Sequence, residues 1–249
     1  MTNTAEEPTP TNGGGAIQVF FGNVQGTGSG VKLPHLAART LDADIIVLNE
    51  TNKKPGDEGC FKTLGIKFGR ISNTPNPDRT GCGYGTFLAT DKQDANLGDH
   101  IRVHSNFEIG VVFRNISGIK LSVIGMYRSP SMDDAECCEF YRELRTMIEE
   151  CRSSDVILLG GDDNSHDHKK SYPKARRAFR ELEAIRRDFC GVHIVNESTR
   201  GSNQTDHVVA FCDPLLFDIS AIVCPGVGDH SEMHVKIKSK EVVLSKPLW

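Results

Sequence analysis

The stretch VILLGGDDN (156–164) passes from an apolar run through two glycines to Asp162, Asp163 and Asn164. A short apolar run bounded by turn residues reads as a buried strand, so charge emerges where the strand ends. The glycines allow another backbone to approach closely at that point. Asp162 and Asn164, two positions apart, can point to the same side of an extended backbone, where a carboxylate serves as base and an amide as orienter on one phosphate. Taken alone, the same letters also suit a turn rich in Asp and Asn.

The pattern recurs outward from this stretch. FGNVQG (21–26) carries Asn23, IIVLNET (45–51) carries Glu50, IGMYRSP (124–130) carries Tyr127, QTDHVVAF (204–211) carries Asp206, and GDHSEMHVKI (228–237) carries Asp229 and His230. Nearly all of these polar residues stand at the edge of an apolar run, which predicts a site assembled from strand ends. Hydrolysis of a phosphodiester needs a cation against the phosphoryl oxygens, a base for water, and donors aimed at the charge that builds in line. The set supplies those parts, including a carboxylate to fix the tautomer of an imidazole. A silent binding domain has no need of a base, an orienting amide and a metal carboxylate together, so the set favours an enzyme.

Apolar, β-rich runs at 17–21, 45–48, 84–89, 108–113, 119–126, 156–160, 192–195, 207–211, 217–223 and 233–237 predict strands. Helical periodicity predicts helices over 133–151 and 174–189, and a shorter one over 31–41 opened by Ser29 or Gly30. The fold class is therefore α/β, with two packed, mostly antiparallel sheets flanked by helices. Residues 52–82 and 91–106, with their Gly, Pro, Asn and Asp clusters, read as surface loops. The Thr-, Pro- and Gly-rich opening predicts a flexible arm over 1–15, followed by one domain over 16–249.

A formal net charge of -4 does not advertise a polyanion-binding protein, so binding to DNA needs a local basic surface. The stretch from Lys169 to Arg187 offers one, with Lys169, Lys170, Lys174, Arg176, Arg177 and Arg180 as candidate phosphate contacts, although a solvated helix face has the same composition. The acid-rich stretch 133–150 is expected to face away from DNA. Eight cysteines without a C-x-x-C pair read as reduced thiols, and the N-x-S/T strings at Asn115, Asn196 and Asn203 lose their glycosylation reading with them. No leader-like segment and no run of membrane-spanning length is found, so a soluble, unexported protein is expected. GTGSG (26–30) and GCGYG (81–85) lack the Lys-Ser/Thr of a P-loop, and GDDNSHD, with His166 and His168, lacks the upstream D-x-H of a dinuclear metallophosphatase.

In this order, from residue 17 to residue 238, the strings resemble the exonuclease-endonuclease-phosphatase superfamily, which contains the apurinic/apyrimidinic (AP) endonucleases and DNase I. The resemblance implies a four-layer, DNase I-like α/β sandwich. It implies Asn23, Glu50, Tyr127, Asp162, Asn164, Asp206, Asp229 and His230 as the catalytic set, with Asp206 paired to His230 and Tyr127 approaching the phosphate. It implies Mg²⁺, with Mn²⁺ as a substitute, held by Glu50 together with Asn23 and Asp229. Two positions depart from the family's pattern: Asp163, where an apolar or aromatic residue is usual, and Asn49, where Gln is usual. His207, which makes a second D-H string with Asp206, reads as a strand residue.

The phrases MYRSPS (126–131), GCGYGTFLATD (81–91) and VNESTRGSNQTDHVVAF (195–211) are more closely similar to the endonuclease domains of non-LTR (LINE-type) retrotransposons. That likeness implies nicking of one strand of double-stranded DNA, a 3′-hydroxyl that primes reverse transcription, continuation into a reverse transcriptase in a longer polyprotein, and a nuclear location. Repair of abasic sites and phosphatase action share the same core chemistry and stand as the alternatives.

Overall fold

The computed structural model of the protein describes residues 15–26, 32–64, 68–72, 85–90, 100–104, 106–166 and 173–240. Nearly all of the expected arm, the predicted helix-opening residues Ser29 and Gly30, most of GTGSG and GCGYG, and His168, Lys169 and Lys170 lie outside the described residues. In chain order the elements are β1 (Ile17–Asn23), α1 (Lys32–Arg39), β2 (Ile45–Asn49), a 3₁₀ helix (Glu58–Leu64), β3 (Phe68–Ile71), β4 (Phe87–Thr90), β5 (Ile101–Val103), β6 (Glu108–Ile116) and β7 (Ile119–Tyr127). They continue with α2 (Asp134–Glu150), β8 (Val156–Asp162), α3 (Pro173–Asp188), β9 (Val192–His193), β10 (Asp206–Cys212), β11 (Phe217–Pro225) and β12 (Ser231–Ser239).

The strands form two six-stranded sheets. The first has the order β11-β12-β1-β2-β4-β3 and the second β5-β6-β7-β8-β10-β9. Each contains one parallel pair, β1 with β2 and β7 with β8, and its other pairs are antiparallel. Alternation along the strands sends every second side chain inward. Val19, Phe21, Val47 and Val235 of the first sheet meet Val112, Val123, Leu158 and Val208 of the second in the central layer. The outer face of the first sheet carries Phe20, Ile46 and Leu48 against Leu36 of α1 and Phe61 of the 3₁₀ helix. The outer face of the second carries Ile124, Leu159 and Val209 against Phe140 and Leu144 of α2 and Leu182 and Ile185 of α3. This gives four layers, helix, sheet, sheet and helix.

Local signals set the ends of the elements. Asp133 caps α2, accepting the Glu136 N–H at 2.8 Å while the Glu136 side chain accepts the Asp133 N–H at 2.9 Å. Such a box contributes about 1 kcal/mol to the helix. Two strands fall inside regions read as loops, β3 within 52–82 and β5 within 91–106. At four and three residues, they are too short for a period-2 pattern to separate from loop, and they are held by their ladders to β4 and β6.

Candidate active site

The register of the second sheet lines up one row of polar residues across four strands. Glu108 pairs with Tyr127, Tyr127 with Asp162, and Asp162 with Asp206. These positions continue the inward-facing parity of Val112, Val123, Leu158 and Val208, so the row lies where the central apolar layer ends. From the first sheet the paired strand ends Asn23 and Asn49 face it. Two hydrogen bonds tie the sheets together here, Asn23 Nδ2 donating to Asp162 Oδ2 at 2.9 Å and Asp162 N donating to Asn49 Oδ1 at 3.1 Å. Asn49 is held in turn within the first sheet, its Nδ2 donating to Thr86 Oγ1 at 2.8 Å. Asn49, one of the departures from the family's pattern, thus aligns the backbone of Asp162. The approach requires glycine at 161, where φ is +137° and a Cβ would run into the Met126 carbonyl oxygen.

His230, just before β12, reaches the end of this row. Its Nδ1 lies 2.8 Å from Asp206 Oδ2, whereas its Nε2 is buried without a hydrogen-bond partner, 3.8 Å from Asp162 Oδ2. The Thr199 hydroxyl fixes Asp206 by accepting its N–H at 3.0 Å and that of Thr205 at 3.1 Å, and the Thr199 carbonyl accepts the N–H of Ser231 at 2.7 Å. Burial opposes the imidazolium, but the hydrogen bond and charge of Asp206, with the charge of Asp162, prevail and raise the His230 pKa. Asp162 is also raised well above the usual carboxylate range, by burial and by the charge of Asp206, against the pull of His230 and of the Asn164 N–H. Asp229 is half exposed: Gln25 Nε2 donates to its Oδ1, and Arg200 Nε donates to its Oδ2 at 3.0 Å.

At the other end of the row, Glu50 follows β2 in the left-handed region, at φ +50°. Gln25 at +44°, Asn52 at +54° and Asn164 at +50° share that conformation. Non-glycine residues held this way cost of order 1 kcal/mol or more each and collect at functional sites. Burial and the charges of Glu50, Asp162 and Glu108 push the Tyr127 phenol far up, so it remains a proton donor. The buried oxygens His230 faces, the acid row and the unpartnered Nε2 together suit a hard divalent cation bound to carboxylates with an imidazole beside it. Asp162, Asp206 and His230 also offer ligand atoms within 4.8 Å of one another, a grouping that reading the strings singly left apart from the expected ligands Glu50, Asn23 and Asp229.

The expectation that Asp162 and Asn164 share one side of an extended backbone is corrected. With φ at +50°, Asn164 turns back, its N–H donates to Asp162 Oδ1 at 2.9 Å, and its Nδ2 donates to the Arg128 carbonyl at 3.0 Å. The pair is an Asx turn that orients the carboxylate through the backbone. Asp163 faces the helical side and is fully buried. It accepts the Tyr141 hydroxyl at 3.0 Å and the Ser165 N–H at 3.0 Å. Arg128, also buried, donates to the carbonyls of Asp163 (2.6 Å), Asn164 (2.9 Å) and Ser129 (3.2 Å). Arg128, Asn49, Thr199 and Arg200 were not among the residues expected from the sequence to build the site.

A cavity of about 770 Å³ opens beside Asn164, lined among others by Arg128, His166, Lys174, Arg200 and Thr205. Of the candidate phosphate contacts, Lys174 borders it, Arg177 pairs with Asp134 of α2 at 2.8 Å, Arg176 is half-buried and Arg180 is exposed.

No protein-family model and no curated protein matches the sequence. Solved structures do match its backbone. The endonuclease domain of TRAS1, a telomere-specific non-LTR retrotransposon, superimposes with a TM-score of 0.58 at 15% identity, covering 90% of this chain and 99% of that one. An endonuclease/exonuclease/phosphatase family protein from Leptotrichia buccalis gives 0.64 at 12% identity, covering 90% and 100%. The chain has the endonuclease/exonuclease/phosphatase fold. The AP endonuclease LMAP from Leishmania major shares it, with a TM-score of 0.64 at 14% identity over 90% of this chain and 88% of that one.

Proposed function

We propose that the chain is a metal-dependent endonuclease that hydrolyses a phosphodiester in one strand of duplex DNA and leaves a 3′-hydroxyl. The observation that carries this reading is the unpartnered Nε2 of His230 facing the fixed carboxylate of Asp162 at the end of a buried polar row. In this reading Asp162, held by Asn23 and by the Asn164 N–H, takes the proton of the attacking water. Burial makes it a stronger base than an exposed carboxylate. His230, with its Nδ1–H directed at Asp206 and its pKa raised by that acid, donates as the imidazolium from Nε2 to a phosphoryl oxygen, and the protonated Tyr127 donates to another. The bond from phosphorus to the 3′-oxygen breaks, and that oxygen leaves as the hydroxyl with a proton from solvent. Glu50, with Asn23 and Asp229, would hold the Mg²⁺, or Mn²⁺ in its place, whose charge neutralises the phosphoryl oxygens.

The retrotransposon-like phrase 195–211 supports nicking in place of repair, because its residues help to build the site. Thr199 fixes the backbone of Asp206, and Arg200 holds Asp229. The same reading carries with it a reverse transcriptase in the full-length protein, which would extend the nicked end, and action in the nucleus. The test is cleavage of two matched duplexes, one intact and one with a single abasic analogue, with Mg²⁺ or EDTA, followed by mapping of the ends. Mg²⁺-dependent nicks in the intact duplex with 3′-hydroxyl ends are expected. Cleavage confined to the abasic position would make the chain a repair enzyme, and 3′-phosphate ends would exclude a priming role.

A further inference from the structure

One member of the polar row, Glu108, has no part in that reaction. It opens β6 directly across from Tyr127 and is 3% exposed. The Gly85 N–H donates to its carboxyl group, but its Oε2 is buried without any hydrogen-bond partner. The charge that acts on it most strongly is another carboxylate, Glu50, and both acids bear on the Tyr127 hydroxyl. Two carboxyl groups from different strands therefore converge on one phenol. A buried carboxylate costs several kcal/mol unless a partner compensates it. Here one carboxyl oxygen has no donor, and the ionisable groups that bear on the carboxyl are Glu50 and Tyr127.

We propose that Glu108 is a second carboxylate of the divalent-cation site, acting together with Glu50. The inference rests on the reading of the site as metal-dependent and adds a residue to it. Hard cations gain affinity with the number of carboxylate charges around them, directly or through a bound water, and a half-exposed Asp229 already engaged by Arg200 and Gln25 is a weak second acid. Glu108 is neither exposed nor engaged by a cation in any ion pair among the described residues. Its place is fixed by a hairpin, so it offers a charge that needs no reorganisation to reach the site.

The test is Mn²⁺ binding, measured from the electron paramagnetic resonance of free Mn²⁺, on the full chain without DNA. Glu108→Gln keeps the shape and an acceptor for Gly85 but removes the charge. It should raise the Mn²⁺ dissociation constant at least about tenfold. Its melting temperature in EDTA should be no lower than that of the wild type. Glu108→Asp, which keeps the charge but draws it back, should fall between the two. If Glu50→Gln weakens Mn²⁺ binding while Glu108→Gln binds as the wild type does, Glu108 is not part of the site. A wild-type chain that binds no Mn²⁺ overturns the metal-dependent reading itself. A Glu108→Gln variant that melts several degrees lower in EDTA makes the acid structural and overturns the proposal.

Discussion

The sequence contains the string D-H twice, as Asp206-His207 and as Asp229-His230, and the structure uses the two histidines on opposite faces of the second sheet. On the inner face Asp206 pairs with His230, 24 positions away, and leaves Nε2 turned to Asp162. On the outer face His207 turns toward Asp163. Its Nε2 lies 3.2 Å from the Ser165 carbonyl and 3.4 Å from Asp163 Oδ1, and its ring stands beside those of Phe179 and His193. Neighbours in a strand point to opposite faces, so a D-H string does not make a D-H pair. One arrangement presents a nitrogen to a pocket of acids. The other joins helices to sheet. The two regions have the same residue types and opposite purposes, and each can be perturbed separately.

The largest contrast is expected in catalysis. His230→Ala and Asp162→Asn should each lower the rate of nicking a supercoiled plasmid by at least about a hundredfold, with circular dichroism unchanged. His207→Gln should lower it by less than about tenfold, since it removes support and no group that faces the phosphate. Equal losses at His230 and His207 would break the distinction between the two faces.

The outer region should show itself in stability. Arg128→Leu leaves three buried or half-buried carbonyls without their donor, which should cost about 2–4 kcal/mol in urea unfolding. Asp162→Asn should cost less, because it replaces a crowded, desolvated acid by a neutral group of the same shape. A reversed order would place the structural burden on the inner face.

Proton linkage should separate the regions by sign. Asp162, Glu108 and His230 have raised pKa values in the folded chain. The folded state then holds more protons than the unfolded one above the ordinary carboxylate and histidine ranges. Their contribution is fully present at low pH and is lost as pH rises through the raised values. His193 on the outer side is lowered, because burial outweighs its hydrogen bond to the Glu183 carboxylate. Its contribution is lost as pH falls below the ordinary histidine range. Melting temperatures in EDTA across pH should therefore show an alkaline decline that Asp162→Asn flattens and an acid decline that His193→Gln flattens.

The inner face was largely legible in the sequence, because charge at the end of an apolar strand is a strong local signal. Asn23, Glu50, Tyr127, Asp162, Asp206 and His230 meet at one end of the sheets for that reason. Glu108 was missed for want of a turn. Ser117 at φ +53° and Gly118 at +82° form a two-residue hairpin between β6 and β7, which alone fixes Glu108 opposite Tyr127. Reading Ser-Gly in NISGIK as that turn would have set the register. Thr199 and Arg200 act from a loop, where no periodicity points to their partners. Asp163 departs from the pattern that the resemblance implied, and apart from the nearby Ser165 the partners of its carboxylate, Tyr141 and His207, stand far from it in sequence.

The smallest expected effect concerns the basic stretch, and it tests whether the inner site extends along the cavity or ends at Asn164. Lys174 borders the cavity, whereas Arg177 is bound to Asp134 and also donates to Cys138, on the side of the acidic helix α2. A cation that neutralises a phosphate contributes affinity that falls with salt, and removing one such cation lowers the salt slope by about 0.9 for duplex DNA. Lys174→Ala should therefore weaken DNA binding about two- to fivefold at moderate salt and flatten the slope by close to that amount. Arg177→Ala should change neither, since it must first give up an ion pair to reach DNA. Fluorescence anisotropy of a labelled duplex over a range of salt concentrations, with Ca²⁺ to prevent cleavage, measures both. If Arg177 carries the larger share, DNA runs over α3 toward α2 and away from the cavity, and the expectation that the acidic helix faces away from DNA fails with it.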